Sequence, residues 1–280
     1  MSILQAKNIS KSFVHKYNLK VLDGIDLDIN EGDFVCLVGP SGCGKSTFLR
    51  ILVGFEKPDE GSVIFNGKEV TRPGSERIMV FQEGALFPWL SVRDNVEFGL
   101  KMANIPVDER HKISKRYLDM MQLDKFVDSF TYQLSTGMKQ RVAIARALAM
   151  DPAILLMDEP FASLDAFTRD LLIKEMQAIW SKTRKTIIFV THSVIEATML
   201  GTKIAVFSGR PSQIKRIIDV SHDYPRSAQD EKLVELQKKS WQNLVKRKRT
   251  NHECVDEKSS ILFSASHHMA GSSILECMGK

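Results

Sequence analysis

The stretch "GPSGCGKST" (39–47) has the residue types and the spacing of a loop that binds phosphate groups. Its glycines let the backbone bend and point successive N–H groups inward. Lys45 would neutralise the β- and γ-phosphates of a nucleotide, and the Ser46 hydroxyl would ligate Mg²⁺. A glycine turn with an incidental lysine is the alternative, but an apolar strand pattern precedes the loop and a helical pattern follows it. The predicted nucleotide contacts are Gly39, Pro40, Ser41, Gly42, Cys43, Gly44, Lys45, Ser46 and Thr47.

A pair of adjacent carboxylates ends the apolar run "ILLMDEP" (154–160). Asp158 would hold Mg²⁺ at the carboxyl edge of a sheet, where open α/β sheets bind their ligands. Glu159 follows directly and can take a proton from an attacking water. The two side chains could instead be a solvated strand end. Together with the phosphate loop, they predict a site that binds a nucleoside triphosphate.

A second helix start, in "QLSTGMKQRVAIARAL" (133–148), also has the features of an anion site. Ser135 and Gly137 open this helix, and helix N-termini offer free N–H groups and the positive end of a dipole. One nucleotide site does not need two phosphate-facing helices. The residues alone do not say what this second helix binds.

The elements that must position these motifs alternate between strand and helix patterns, which predicts a layered α/β fold with a largely parallel sheet. Four apolar runs have the look of strands buried on both faces: 34–39, 153–158, 186–191 and 203–208. The first thirty residues alternate apolar with polar side chains, which is typical of antiparallel strands. Residues 91 to about 150 fit helical spacing and predict an inserted helical subdomain. We therefore expect a domain that binds a nucleoside triphosphate over 1–222, and a polar C-terminal helix and tail over 223–280.

Composition excludes several classes of protein. No run of 18 apolar residues could span a bilayer, and the first residues lack the pattern of a signal peptide. The net charge of +5 is spread along the chain and not concentrated in a basic patch, so we expect no nucleic acid partner. The one dense cluster, "VKRKR" (245–249), fits the solvated end of a surface helix. The four cysteines are Cys36, Cys43, Cys254 and Cys277; they have no paired spacing, and with His267 and His268 they form no regular metal motif.

The phosphate loop, "LSTGMKQR" and the carboxylate pair follow one another along the chain, and together they resemble the ATP-binding subunits of ABC transporters, over roughly residues 1–220. The resemblance implies that Gln82 contacts Mg²⁺ and that His192 senses the γ-phosphate. It also implies that the "SLD" loop (163–165) touches a partner subunit. Phe13 resembles the aromatic residue that stacks on adenine, with Tyr17 a weaker candidate; either could instead pack in the core. The implied catalytic residues are thus Glu159, His192 and Gln82, and the implied Mg²⁺ ligands are Ser46, Gln82 and Asp158.

The same resemblance implies a purpose for the second helix start. In this family the helix faces the γ-phosphate bound to a second copy, so a head-to-tail homodimer encloses two ATP molecules. Ser135 and the N–H of Gly137 are the expected donors. Thr136 stands where the family usually has glycine. Its side chain either points away from the contact, or it weakens the contact and slows turnover.

The phrase "LFPWLSVRDNVEFGL" (86–100) looks most like importer ATPases of the nitrate/sulfonate/taurine group; the alternative is a proline turn with a core tryptophan. The resemblance implies permease subunits in the membrane, an extracytoplasmic solute-binding protein, and a peripheral position on the cytoplasmic face. Two other classes of protein fit the sequence less well. A soluble ABC-type switch acting on ribosomes or DNA usually has two cassettes or a long coiled-coil insertion, and neither is visible. A P-loop kinase or GTPase would leave "LSTGMKQR" and His192 unexplained.

Overall fold

The computed structural model describes residues 2–14, 18–82, 84–230, 233–235 and 237. Tyr17, the second candidate for adenine stacking, lies outside these residues, as do 245–249, Cys254, Cys277 and the two adjacent histidines. The described residues belong to one compact unit that extends over Met1–Leu244. No helix in the described part of the chain is both long and apolar enough to cross a membrane.

The N-terminal residues form an antiparallel sheet, as the alternating pattern predicts. It contains β1 (Ser2–Val14), β2 (Asn18–Asn30), β4 (Glu60–Phe65) and β5 (Lys68–Glu69), in the order β2-β1-β4-β5. In β2, Ile25, Leu27 and Ile29 are buried, while Asp26 and Asp28 between them are exposed. One face of this sheet therefore packs on the core and the other meets solvent.

The second sheet is mostly parallel and carries the predicted site along one edge. Its strands are β3 (Phe34–Val38), β6 (Arg77–Val80), β7 (Ile154–Asp158), β8 (Thr186–Thr191), β9 (Lys203–Phe207) and β10 (Ile214–Asp219). The order is β10-β9-β3-β8-β7-β6, and β10 alone among these runs antiparallel to its neighbour. All five residues of β3 are buried, because both faces of the sheet are covered.

Successive residues of β3 point into two separate hydrophobic cores. Phe34, Cys36 and Val38 pack into the core that contains α4 (Thr136–Ala149) and α5 (Ala166–Thr183). Val35 and Leu37 pack into the core beneath α1 (Lys45–Val53) and the antiparallel sheet. The sheet is thus the middle layer of the molecule, and the loops at its carboxyl edge connect the two sides.

Helices occupy the stretch from 91 to 150. They are α2 (Val92–Met102), α3 (Val107–Met120) and α4, with short 3₁₀ turns at Asp124–Phe126 and Thr131–Gln133. Ser91 caps α2 by accepting a 3.0 Å hydrogen bond from the Asp94 N–H. The buried Glu97 carboxylate of α2 accepts a 2.6 Å hydrogen bond from the Ser114 hydroxyl of α3. That bond fixes the two helices against each other.

Beyond the predicted boundary at residue 222, the chain still packs on the same unit. Helix α6 (Val194–Leu200) ends beside Tyr224, whose hydroxyl donates to the Leu200 carbonyl at 2.5 Å. Arg226 is only 6% exposed and donates to the Thr198 and Gly201 carbonyls at 2.8 and 2.6 Å. The division of the chain at 222 and 223 remains a prediction, but the first residues after it are part of the packed structure.

Candidate nucleotide-binding site

The phosphate loop connects β3 to α1, and its glycines sit where other residues would not fit. Gly42 has φ 72° and Gly44 has φ 113°, a left-handed region that side chains with a Cβ rarely adopt. A Cβ at Gly39 would lie 2.8 Å from the Cβ of Phe207, and one at Gly44 would lie 2.7 Å from Cγ1 of Val21. The loop is therefore held tightly between β9 and β2.

The N-terminus of α1 is open toward this loop. Gly44 is its N-cap, so no side chain caps the first N–H groups, and no acidic residue lies in the first turn. Those N–H groups have no acceptor within the helix, and the positive end of its dipole lies beside them. The Lys45 side chain is buried and its Nζ donates to the carbonyls of Gly39 and Pro40 at 2.9 and 3.0 Å. The loop thus presents a lysine charge and unpaired N–H groups, the chemistry that binds phosphate.

Ser46 and Asp158, the two predicted metal ligands that are farthest apart in sequence, meet at the end of β7. The Ser46 hydroxyl donates a 2.7 Å hydrogen bond to Oδ1 of Asp158. Burial raises the pKa of the Asp158 carboxyl, the hydrogen bond from Ser46 lowers it, and the nearby Glu159 charge raises it further. A half-buried carboxylate beside a hydroxyl offers the hard oxygen atoms that Mg²⁺ prefers.

The donor set also fits Mg²⁺ better than a cation that needs a full protein cage. No group of three or more His, Cys, Asp or Glu side chains in the described residues could hold a metal ion. Mg²⁺ is usually held by one or two protein ligands together with water and the phosphates of its substrate. Ser46 and Asp158 match that arrangement.

Glu159 and His192 come together because β7 and β8 run side by side. Asp158 pairs with Val190, and the Glu159 N–H donates to the Val190 carbonyl at 3.1 Å. The Oε2 atom of Glu159 then lies 3.6 Å from Nδ1 of His192, with side chains that are 24% and 58% exposed. A carboxylate and an imidazole, both open to water, therefore lie next to the half-buried predicted metal ligands.

The loop after β6 carries Gln82 toward the same edge. Val80, two residues earlier, pairs with Met157, which directly precedes Asp158. Arg146 of α4 fixes this loop, because its guanidinium donates to the carbonyls of Ala85 and Gly84, each at 2.9 Å. The exposed side chain of Gln82 thus lies on a loop attached both to the sheet and to the helical region.

A cavity of about 350 Å³ is lined by seven of the sixteen predicted site residues. It is lined by Phe13, Leu19, Val21, Gly42, Gly44, Lys45, Ser46, Thr47, Glu159 and Arg210. Phe13 of β1 stands opposite Leu19 of β2. It is half-buried at the rim, so it can offer a ring face to a base.

The second predicted phosphate helix, α4, does not line this cavity. Ser135 is its N-cap, and the Ser135 hydroxyl accepts a 3.3 Å hydrogen bond from the Met138 N–H. Gly137 is buried, and a Cβ there would lie 2.5 Å from Cγ2 of Thr168. Thr136 between them is exposed. The helix start is fully formed but leaves its donors unused by the chain's own phosphate loop.

Two arginines at the site were not among the residues predicted from the sequence. Arg210, in the loop between β9 and β10, lines the cavity and donates from Nε to the Gly42 carbonyl. Arg146 lies within a quoted motif, yet its contact with the loop after β6 joins residues about sixty positions apart. Neither contact leaves a local pattern in the sequence, since both depend on how distant loops are brought together.

A second concave surface follows the loop after β6. A groove of about 390 Å³ is lined by Ile78, Met79, Phe81, Ala85, Phe87, Phe98, Gly99, Ala143, Arg146, Ala147 and Met150. Trp89 next to it is 70% exposed and lies 5.6 Å from the Phe87 ring, centroid to centroid. The tryptophan is therefore on the surface, and the alternative of a core tryptophan is wrong.

A family model, curated relatives and solved structures all relate this chain to ABC transporter ATP-binding proteins. The family model described as ABC transporter matches residues 22–162. An uncharacterized ABC transporter ATP-binding protein of Methanocaldococcus jannaschii is 48% identical over 237 residues, which cover 84% of this chain and 89% of the relative. The aliphatic sulfonates import ATP-binding protein SsuB of Bacillus cereus is 42% identical over 224 residues, 80% of this chain and 88% of the relative.

Solved structures show the same likeness. A dimeric bacterial ABC transporter cassette has a TM-score of 0.70 at 32% identity, covering 79% of this chain and 100% of its own. The same cassette in a dimeric post-hydrolysis state bound to ADP and Pi has a TM-score of 0.69 at 31% identity, with the same coverage. Part of the cbiONQ transporter of Clostridium perfringens, cbiO1, has a TM-score of 0.72 at 26% identity, covering 87% and 95%.

Proposed function

This chain belongs to the ABC transporter ATP-binding family and is an ATPase, and we propose that two copies of it enclose two ATP molecules and drive the permease of an importer. The observation that carries the proposal is the helix start at Ser135. Its donors are in place, but they lie outside the cavity formed by the chain's own phosphate loop. A second copy supplies the nucleotide that these donors bind.

In the proposed ATPase site, the phosphate loop binds and orients the triphosphate. The open N–H groups of α1 and the Lys45 ammonium hold the β- and γ-phosphates. Ser46, Asp158 and Gln82 hold Mg²⁺, which neutralises charge on the phosphate oxygens when bound. The Phe13 ring stacks on adenine, with the base on the side of Leu19 and Val21.

Hydrolysis is proposed to depend on the Glu159 and His192 pair. Water attacks the γ-phosphorus as the bond to the ADP oxygen breaks, and Glu159 accepts a proton from that water. His192, 3.6 Å from the Glu159 carboxylate, positions the γ-phosphate and the water between them. The Ser135 hydroxyl and the Gly137 N–H of the second copy complete the shell around the γ-phosphate. Hydrolysis removes the group that joins the two copies, so the dimer can open.

The proposed permease contact is the groove that follows the loop after β6. It is apolar, it has exposed Trp89 beside it, and Arg146 joins its wall to the loop that carries Gln82. A short helix of a membrane subunit seated there would contact the same loop that reaches the metal site. We therefore place the protein on the cytoplasmic face of the membrane, as a peripheral subunit beside a permease and an extracytoplasmic solute-binding protein.

The proposed solute is a small anion such as nitrate, a sulfonate or taurine. Support comes from the aliphatic sulfonates import protein, which covers 80% of this chain at 42% identity. The ATPase subunit contacts the permease and not the solute. The proposed solute therefore depends on that similarity and not on a solute-binding residue of this chain.

A membrane pulldown with the tagged protein tests the proposal. We expect a multispanning permease to be captured from detergent extracts, and capture should fall when Trp89 is replaced by serine. Transport of a panel of anions by the captured complex then identifies the solute. Recovery of ribosomes or DNA in place of a permease would favour the alternative, a soluble ABC-type switch, and would overturn the importer assignment.

A further inference from the structure

Arg210 is fixed against the phosphate loop but has no role in the site described above. Its Nε donates to the Gly42 carbonyl, and it lines the same cavity as Lys45, Ser46 and Thr47. A Cβ placed on Gly42 would lie 2.7 Å from Nη2 of Arg210. The guanidinium therefore lies directly against the backbone that would surround the phosphates, and a side chain at position 42 would displace it.

The loop that carries Arg210 is held firmly in place. Ser212 is fully buried and exchanges two backbone hydrogen bonds with β2, from its N–H to the Val21 carbonyl at 2.8 Å and from the Asp23 N–H to its carbonyl at 3.0 Å. Gln213 donates to the Asp23 carboxylate at 3.0 Å. Because β2 also supplies Val21 to the cavity wall, the loop and the wall form one structure.

The guanidinium has donors to spare. An arginine has five N–H donors in a planar fork. Within the described residues, Arg210 makes its hydrogen bond through Nε, and neither a salt bridge nor a bond from Nη1 or Nη2 is formed. Its side chain is exposed at the cavity. Two terminal nitrogens with a positive charge thus remain available to an anion, and arginine binds phosphate oxygens well in this geometry.

We propose that Arg210 is a further nucleotide-binding residue, whose terminal nitrogens contact the phosphate chain while Nε holds the Gly42 carbonyl. The inference rests on the proposed function of the phosphate loop. It assigns the loop between β9 and β10 to the nucleotide site, so that cations approach the phosphates from two sides, Lys45 from within the loop and Arg210 from across it.

Glutamine is the matched substitution. Nε2 of glutamine occupies the same position along the side chain as Nε of arginine, so Arg210→Gln keeps a donor for the Gly42 carbonyl and removes the charge and the terminal nitrogens. Arg216→Gln is the control, since Arg216 is an exposed arginine on β10 outside the cavity. Dissociation constants for ATP, ADP and adenosine are measured by calorimetry at low and high potassium chloride.

We expect Arg210→Gln to weaken ATP and ADP binding by about tenfold at low salt, the size of one exposed charge-assisted hydrogen bond. The loss should shrink at high salt, because screening weakens exposed charge pairs. Adenosine binding and the Arg216→Gln control should be unchanged. Unchanged ATP affinity in Arg210→Gln, or an equal loss for adenosine, would overturn the inference.

Lys45→Ala separates this inference from the proposal on which it rests. If Lys45→Ala weakens ATP binding and Arg210→Gln does not, the phosphate loop stands and the inference about Arg210 fails. If the wild-type protein binds no ATP, or if Lys45→Ala binds it normally, the proposed nucleotide site itself fails.

Discussion

The Ser46 hydroxyl donates a 2.7 Å hydrogen bond to the Asp158 carboxylate, across 112 residues of sequence. Ser46 is in the first turn of α1 and Asp158 ends β7, two strand positions away in the sheet from β3. The two proposed magnesium ligands are thus already adjacent in the folded chain. The same two oxygen atoms would hold Mg²⁺ at this edge of the sheet.

Asp158→Asn should stabilise the protein in the absence of magnesium and nucleotide. Burial raises the pKa of Asp158 above its ordinary value of 3.8, so at neutral pH the folded state bears the cost of a buried charge. Asparagine still accepts the Ser46 hydrogen bond without that charge. We expect a rise in melting temperature of roughly 2–4 °C at pH 7, measured by calorimetry.

The pH dependence of this difference checks its cause. The cost is fully present above the folded-state pKa, shrinks as the pH falls from that value to 3.8, and is gone below 3.8, where the carboxyl is protonated in both states. Mg-ATP should reverse the order at neutral pH by stabilising the wild type more. A difference that stays constant with pH would show that charge burial at Asp158 is not its source.

Glu159→Gln should bind ATP normally and lose about 10²- to 10⁴-fold in hydrolysis, since only the proton acceptor is removed. Glutamine is of similar size, so the 3.6 Å approach to His192 is retained. ATP should then hold a stable dimer, visible by size-exclusion chromatography with light scattering. Glu69→Gln, an exposed glutamate on β5, is the control. Normal turnover in Glu159→Gln would mean that another group is the base.

The strands and the phosphate loop could be predicted from the sequence because their signals are local. The apolar run "FVCLV" predicts a buried strand, and the glycines at 42 and 44 predict backbone with positive φ. The predicted α/β fold is confirmed. Strand β10 and its contact with the site were not predicted. Its pattern is half-exposed, and the position of Arg210 depends on the hydrogen bonds of Ser212 with β2, nearly two hundred residues away.

The sequence also failed to predict which side chains are buried and which are exposed. Polar composition after residue 222 predicts a change of structure, yet Arg226 in that stretch is buried. Its guanidinium donates to backbone carbonyls, which every sequence has, and lies 4.1 Å from the centre of the Tyr224 ring. The acceptors therefore leave no signal in residue type. The opposite holds for Trp89, whose type predicts burial and whose side chain is 70% exposed.

Arg226→Met should destabilise the protein by about 2–4 kcal/mol, because it leaves several buried carbonyls without a donor. Those carbonyls belong to Thr198 and Gly201 at the end of α6, and to Val220 and His222. The free energy of unfolding is measured in urea, with exposed Arg216→Met as the control. A loss below about 0.5 kcal/mol would show that the carbonyls find water instead.

A crosslink tests the proposed sharing of the site between two copies. Ser41 is an exposed residue of the phosphate loop, and Ser135 is the exposed cap of α4. One chain carries Ser41→Cys and the other Ser135→Cys, both in a Glu159→Gln background without Cys254 and Cys277. We expect a disulfide between chains only when ATP is bound. Crosslinks that form equally well without nucleotide would contradict the enclosed-ATP dimer.

At the start of α4, position 137 has no room for a side chain, whereas the side chain at position 136 is exposed. Gly137 faces Thr168 of α5 so closely that a Cβ would lie 2.5 Å from the threonine methyl carbon. Thr136 is exposed, so the fold of the single chain accommodates its side chain. The side chain that replaces the family's usual glycine is therefore held away from the packed interface between α4 and α5, on the surface that a second copy would meet.

Thr136→Gly should change turnover and ATP-driven dimerisation by less than about twofold, because an exposed side chain at the first helical position can turn toward solvent. The cost in stability should stay below the roughly 1 kcal/mol that glycine brings to a helix interior. Gly137→Ala is the contrasting variant: its Cβ forces α4 and Thr168 apart, so the free energy of unfolding should fall by the roughly 1–3 kcal/mol typical of overpacking, and dimerisation should weaken because the helix start is displaced. Steady-state ATPase rates and light scattering measure both variants. A several-fold gain in Thr136→Gly would instead mean that the threonine holds the partner's γ-phosphate away from the Gly137 N–H, and that this chain hydrolyses ATP more slowly because of it.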